Sequence, residues 1–165
     1  MTPHEIPNGR FLKVGMDIMT LHGKDFLVLV DYFSKYPELL PIPDKTAQTI
    51  VEQTKSVCAR HGIPEEIVSD NMPFNSQEFL AFTKEYGIKA TTSSPGYAPS
   101  NGQAERFVQT LKQLLLKAGE EGRDPYLALP ESCNTPIAGL GYSPEHILMS
   151  RHLRSKLPTL SLIHI

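Results

Sequence analysis

The feature that most constrains the fold is a change in the spacing of apolar residues near residue 45. Before it, apolar and polar residues alternate from Phe11 to Met19, Phe26–Val30 is apolar throughout, and prolines break up Tyr36–Ile42. Alternation is typical of a half-buried strand, whereas a short, fully apolar run suits a strand covered on both sides. Prolines place the third strand at a sheet edge. Short connections between the three strands indicate an antiparallel meander.

After residue 45 the apolar residues mostly follow a helical period. Three helices and two strands are predicted there: Ala47–Cys58, Glu66–Ser69, Ser76–Tyr86, Ile88–Thr92 and Gln103–Ala118. The helical segments carry apolar residues three and four positions apart, which gives each helix one apolar face. We therefore expect an α/β fold with a five-stranded mixed sheet flanked by helices on both faces.

The C-terminal third contains a fourth predicted helix, Asp124–Asn134. Pro130 lies inside it and should interrupt or end it, because proline lacks an N–H and clashes with the preceding turn. Gly119–Gly122 is the best candidate for a flexible link, although no domain boundary is evident. We expect an extended arm over residues 1–10, one domain over residues 11–158 and a tail over residues 159–165.

The composition excludes several classes of protein. A net charge of −2 excludes a strongly basic nucleic-acid-binding domain, so any contact with DNA must come from a local patch. The 2 cysteines, Cys58 and Cys133, argue against a disulfide-rich or cysteine-rich zinc module. No apolar run approaches a membrane span, no signal peptide is visible, and no glycine-rich nucleotide cradle is present. We expect no membrane, no nucleotide cofactor, and a location in the cytosol or nucleus.

Carboxylates at three positions are the candidate catalytic residues. Asp17 interrupts an apolar strand, where a carboxylate is costly unless it is paired or binds a cation, and Gly15 on the same face leaves room beside it. Asp70 ends a strand, where ligands bind in α/β sheets. Glu105 lies in the first or second turn of the third helix. Each also has a structural interpretation: an ion-paired strand residue, an Asp-Asn turn, and support of the helix dipole.

Taken together, the three acids predict a metal site. Acids on a central strand, a neighbouring strand end and a facing helix can converge to hold two Mg²⁺ ions roughly 3.5–4 Å apart. Glu105, Gln109 and Lys112 form one polar stripe, so Gln109 and Lys112 are candidate contacts to a phosphate backbone. Four polar residues near the start of this helix are either ordinary turn residues or contacts to a DNA end: Ser94, Tyr97, Asn101 and Gln103. Asp31, which ends a buried strand, is interpreted as structural.

Seven short segments in a fixed order carry a resemblance to a known family: Val14–Asp17, Leu29–Tyr36, Arg60–Asn71, Thr92–Pro95, Ser100–Arg106, Asn134–Pro136 and Gly141–Pro144. They resemble the integrase core of gypsy-type LTR retrotransposons and, more broadly, retroviral integrases. Each segment is weak alone, but seven in order are specific, and the resemblance runs from about Pro3 to Pro158.

This resemblance implies a ribonuclease H-like fold, with residues 11–158 as an integrase catalytic core. It implies that Asp17, Asp70 and Glu105 form a D,D,E triad holding two Mg²⁺ or Mn²⁺ ions. The implied activity is metal-dependent DNA 3′-end processing and strand transfer, by a polynucleotidyl transferase or endonuclease. The implied partners are element and target DNA and further copies of the chain, in the nucleus or in the cytoplasm before import.

Departures from the family pattern keep other functions open. Asp70 and Glu105 are separated by 34 residues, one fewer than usual, Met72 stands where glycine is usual, and Pro130 lies in a helix. The alternative is a catalytically inactive, domesticated or decaying integrase-derived module that binds nucleic acid or protein. A third possibility is a ribonuclease H-type hydrolase, which the segment Ser100–Arg106 disfavours. A permanent lysine or arginine partner on a buried Asp17 or Asp70 would argue against catalysis.

Overall fold

The structure is a computed structural model that describes residues 9–70, 73–92 and 102–133, without the side chains of residues 102–107 and 131–133. Its first part is an antiparallel meander of β1 (Lys13–Leu21), β2 (Lys24–Asp31) and β3 (Pro37–Ile42). The β1–β2 connection is only His22 and Gly23, with φ angles of 50° and 74°. Two positive φ angles are typical of a hairpin turn that matches the twist of its strands.

The remaining elements add two parallel strands and four helices. They are α1 (Ala47–His61), β4 (Glu66–Ser69), α2 (Gln77–Glu85), β5 (Lys89–Thr92), α3 (Gly102–Glu120) and α4 (Pro125–Cys133). The sheet order is β3-β2-β1-β4-β5, and β4 runs parallel to both β1 and β5. This confirms the predicted element order, the five-stranded mixed sheet and the edge position of β3.

Helix α1 shows why its sequence forms a helix of this length. The Thr46 hydroxyl accepts a hydrogen bond from the Thr49 N–H at 3.3 Å, which satisfies one of the unpaired donors of the first turn. At the other end, Gly62 has a φ of 91° and its N–H donates to the Cys58 carbonyl at 2.8 Å. A φ of 91° is strained for residues with a Cβ but not for glycine, so Gly62 is suited to end the helix.

Helices cover both faces of the sheet. On one side, strand residues pack against residues of α1 and α2: Val14, Met16, Leu27, Leu29 and Ile67 with Ile50, Val57, Phe79 and Phe82. On the other side, strand residues pack against α3 and α4: Met19, Leu21, Phe26, Val28 and Val30 with Leu111, Leu115, Ala118 and Ala128. We call these the α1/α2 face and the α3/α4 face. Since β1 contributes to both, the expectation that it is half-buried was wrong.

The predicted link at Gly119–Gly122 falls partly within a helix. Gly119 lies inside α3, where a Cβ would fall 2.5 Å from Nε2 of His22, so this glycine permits close helix packing. Glu121 and Gly122, the latter with a φ of 72°, form the turn that follows α3. The expectation that Pro130 interrupts or ends the fourth helix was wrong. Pro130 lies inside α4, which continues to Cys133. Proline removes one hydrogen bond of the helix, and the packing of Ala128 and Leu129 into the α3/α4 core holds the helix across it.

Candidate active site

Asp17 and Asp70 occupy neighbouring positions on adjacent parallel strands. Met16 of β1 pairs with Ser69 of β4, and the two acids are the next residues along each chain. Adjacent strands lie roughly 4.8 Å apart. Asp17 lies within β1, the central strand of the sheet, whereas Asp70 comes directly after the end of β4 and is exposed. The register therefore brings together two acids that are 53 positions apart in the sequence.

The Asp17 carboxylate is oriented by two contacts. Its Oδ1 accepts a hydrogen bond from the Ile18 N–H at 2.8 Å. Its Oδ2 accepts a hydrogen bond from Nζ of Lys112, which reaches it from α3. The side chains of Asp17 and Lys112 are 23% and 18% exposed, so this ion pair is accessible to solvent. Lys112, a predicted phosphate contact, thus contacts Asp17, a predicted metal ligand.

Helix α3 reaches Asp17 because its apolar residues anchor it on the sheet. Leu111 and Leu115 are 2% and 0% exposed and belong to the α3/α4 core. Lys112 follows Leu111 directly and therefore lies at the border of this buried stripe. One turn earlier, Gln109 is exposed. The polar stripe predicted on this helix thus has an exposed member at Gln109 and a member in contact with β1 at Lys112.

The space predicted beside Asp17 is filled by an aromatic ring. A Cβ on Gly15 would lie 3.1 Å from Cε1 of Tyr32, so the ring packs directly on the glycine backbone. Nζ of Lys13 lies 4.9 Å from the centre of the same ring and 3.8 Å from Oε2 of Glu66. Gly15 therefore makes room for Tyr32, and the expectation that it leaves space beside the carboxylate was wrong.

Asp31 shows what a structural carboxylate looks like in this sheet. It is 1% exposed, and its two oxygens accept hydrogen bonds from the backbone N–H groups of Phe11, Phe33 and Ser34 and from the Ser34 hydroxyl, at 2.6 to 3.3 Å. These donors fill the acceptor sites of the carboxylate. The structural interpretation of Asp31 is confirmed.

The other predicted site residues lie at the edge of the described part of the chain or beyond it. Gln103 and Glu105 belong to the first turn of α3, but their side chains are not described. Ser94, Tyr97 and Asn101 lie outside the described residues, as does Met72. Among the described side chains, no three histidine, cysteine, aspartate or glutamate residues group closely enough to hold a metal ion. The side chain of Glu105 is not among those described, so the triad of Asp17, Asp70 and Glu105 stays a prediction.

The chemistry of the two neighbouring acids fits a divalent cation. Magnesium prefers hard oxygen ligands, and carboxylates of adjacent residues supply them. Oδ2 of Asp17 already binds a cationic group, the ammonium of Lys112, and the side chains of Asp17 and Lys112 are both partly exposed. Asp17 and Asp70 are therefore the described residues that would hold such an ion.

Sequence reasoning missed the contact between Lys112 and Asp17 and the role of Tyr32. The alternation of β1 placed Asp17 on the same face as Gly15, and the α3 stripe contained Lys112. Nothing in the sequence specified which face α3 covers or how far along the sheet it lies. The contact depends on that docking.

Comparison with known proteins supplies the family. Residues 7–98 match the model of the integrase core domain. The chain belongs to the integrase core domain family. An uncharacterized protein of Caenorhabditis elegans is 32% identical over 97% of this chain, and the Gag-Pol polyprotein of walleye dermal sarcoma virus is 31% identical over 91%. The chain spans only 13% and 9% of the lengths of these two relatives.

Solved structures agree on the fold. The catalytic core domain of BIV integrase matches with a TM-score of 0.66 and 27% identity, over 85% of this chain and 95% of that one. A chain of the simian T-cell lymphotropic virus intasome, in complex with a PP2A regulatory subunit, matches with a TM-score of 0.71 and 22% identity, over all of this chain and 64% of that one. The fold is thus the ribonuclease H-like fold of integrase cores, and the predicted family is confirmed.

Proposed function

We propose that this chain is the catalytic core of a retroelement integrase, which processes DNA 3′ ends and transfers them to target DNA. The observation that carries the proposal is the register that makes Asp17 and Asp70 neighbours on parallel strands. Asp70 directly follows the end of β4, which matches the place where α/β sheets bind ligands, and the register places Asp17 of β1 beside it. In a member of the integrase core family, this arrangement favours phosphoryl transfer over a purely structural use of the acids.

The roles of the residues follow from their positions. Asp17 and Asp70, joined by Glu105 from the first turn of α3, would hold two Mg²⁺ or Mn²⁺ ions. When bound, such ions activate an attacking oxygen and stabilise the leaving oxygen of an in-line displacement. The Ile18 N–H fixes one oxygen of Asp17, so the carboxylate keeps one orientation.

The surface beside the acids would contact DNA. Gln109 is exposed on α3, and Lys112 lies between that surface and Asp17. Both suit a phosphate backbone, and Ser94, Tyr97, Asn101 and Gln103 would add contacts at the DNA end. Element ends and target DNA are the proposed partners, bound by a homo-oligomer.

The proposed site of action is the nucleus, reached through the cytoplasm. Independently, no helix in the described part of the chain is long and apolar enough to cross a membrane.

A Mn²⁺-dependent disintegration assay on a branched DNA substrate tests the proposal. We expect the unmodified chain to resolve the branch and Asp17→Asn and Asp70→Asn to lose at least about 100-fold in rate, since each removes a charged ligand. Asp124→Asn is the matched control, because Asp124 is exposed beyond α3 and caps α4. Equal rates in all four proteins, or no activity in the unmodified chain, would contradict the catalytic proposal.

The contact of Lys112 with Asp17 favours one alternative, a non-catalytic integrase-derived module that binds nucleic acid or protein. In that case the lysine is a permanent partner of the carboxylate and no metal enters. Calorimetry with millimolar Mg²⁺ or Mn²⁺ separates the two functions. Heat of binding that Asp17→Asn abolishes supports the catalytic core, and no heat in the unmodified chain supports the module.

A further inference from the structure

The ion pair between α3 and β1 lies on the oxygen of Asp17 that a metal would use. Oδ1 of Asp17 is held by the Ile18 N–H, and Oδ2 is held by the ammonium of Lys112. We propose that Lys112 is a displaceable cation: it neutralises Asp17 before metal binds, and metal binding releases it. This inference depends on the proposed function, because it requires that Asp17 is a metal ligand.

The packing of α3 allows the lysine to move while the helix stays in place. Leu111 and Leu115 anchor the helix in the α3/α4 core on both sides of Lys112. The side chains of Lys112 and Asp17 are 18% and 23% exposed, so water reaches the pair and can solvate the ammonium when it moves. The flexible four-carbon stem of lysine can therefore swing the ammonium away without disturbing the core.

The release has a consequence for substrate binding. An ammonium freed from Asp17 stays on the surface that also carries Gln109, beside the acids. There it is available to a phosphate of the backbone. Metal and DNA would then each favour the binding of the other, because both favour the released position of Lys112.

The test is a Mn²⁺ titration of the full chain, without DNA, in five proteins: unmodified, Lys112→Gln, Lys112→Arg, Lys117→Gln and Asp17→Asn. Lys117 is an exposed lysine farther along α3 and provides the matched control. We expect Lys112→Gln to bind Mn²⁺ about five- to tenfold more tightly, because no ammonium has to be displaced. Lys112→Arg and Lys117→Gln should bind like the unmodified chain, and thermal unfolding shows that each variant is folded.

A second measurement separates displacement from simple repulsion between two cations. The labelling rate of Lys112 by an amine-reactive reagent, followed by mass spectrometry relative to Lys117, should rise at least about twofold when Mg²⁺ is added, because release exposes the ammonium. Unchanged labelling, or a Lys112→Gln affinity equal to or weaker than that of the unmodified chain, would overturn the inference. Failure of the proposed function looks different: the unmodified chain and Asp17→Asn would then bind Mn²⁺ equally or not at all.

Discussion

The two faces of the sheet differ in the polar groups that their packing includes. The α1/α2 face is closed by a cluster of aromatic rings, Phe74, Phe79 and Phe82, with ring centres 5.6 and 5.9 Å apart. A buried hydroxyl on this face is satisfied within its own helix: Thr54 donates a hydrogen bond to the Ile50 carbonyl at 2.7 Å. The α3/α4 face keeps a partly exposed pair of opposite charges in the middle of its central strand.

This difference indicates how stability and chemistry are divided in the fold. Burial of apolar surface stabilises a domain most where no polar group interrupts it. On the α1/α2 face the aromatic cluster is continuous, whereas on the α3/α4 face the ion pair of Asp17 and Lys112 interrupts the apolar packing.

The largest expected effect tests the core of the α1/α2 face. Phe79→Ala should destabilise the protein by about 3–5 kcal/mol, because a fully buried ring leaves a cavity. Leu80→Ala, at the neighbouring position with 44% exposure, should stay within about 0.5 kcal/mol. Urea unfolding measures both. Similar losses from the two changes would contradict the assignment of the core to this face of α2.

The next effect compares two carboxylates. Asp31→Asn should cost about 2–4 kcal/mol, since an amide cannot accept all the hydrogen bonds that converge on the buried carboxylate. Asp17→Asn should cost less, about 1–2 kcal/mol, because its ion pair is partly exposed and its carboxylate accepts fewer hydrogen bonds. Denaturant unfolding and Mn²⁺ binding are measured on the same samples. A larger stability loss at Asp17 would mean that it is a structural residue too.

The smallest effect concerns an acid at the start of α1. Hydrogen bonds from the hydroxyls of Thr46 and Thr49, and from the Thr46 N–H, lower the pKa of Asp44 from its usual value. A carboxylate whose pKa is lowered by folding stabilises the protein at pH values above its unfolded-state pKa of about 3.9. This stabilisation is lost as the pH falls through the folded-state pKa. The difference in stability between the unmodified chain and Asp44→Asn should thus be constant above about pH 5 and shrink below about pH 4.

That experiment also sharpens the contrast between the faces. Asp44 precedes α1, the helix that covers the α1/α2 face, so Asp44→Asn should leave Mn²⁺ affinity unchanged. A difference in stability that grows as the pH falls, or a loss of Mn²⁺ binding, would contradict a purely local role for the hydrogen bonds of Asp44 to Thr46 and Thr49.

Local features of the fold were predictable because local interactions determine them. The bounds of β4 and the edge position of β3 each depend on neighbouring residues. The misreadings involve residues whose neighbours are distant in sequence. Alternation in β1 indicated a solvent-facing side, but α3 covers it. The first residue of the predicted link, Gly119, instead lies in α3, and its missing side chain lets α3 approach the β1–β2 turn.

The candidate site divides in the same way. Asp17 and Asp70 were identified from their positions in and after predicted strands, and parallel pairing then makes them neighbours. An ion pair was one of the two interpretations of Asp17, but its partner Lys112, 95 positions away, was not foreseen. Periodicity shows which side of a helix is apolar, but it does not show where along a sheet that side will dock.

The sequence by itself determined the order of strands and helices and the family, and it identified Asp17 and Asp70 as candidate site residues. It could do so because apolar spacing and short motifs are encoded locally. Tertiary structure alone decided that Tyr32 lies on Gly15 and that the ammonium of Lys112 meets Asp17. The physical reason is that side chains far apart in the chain acquire a common environment only when the core packs, and packing fixes their distances.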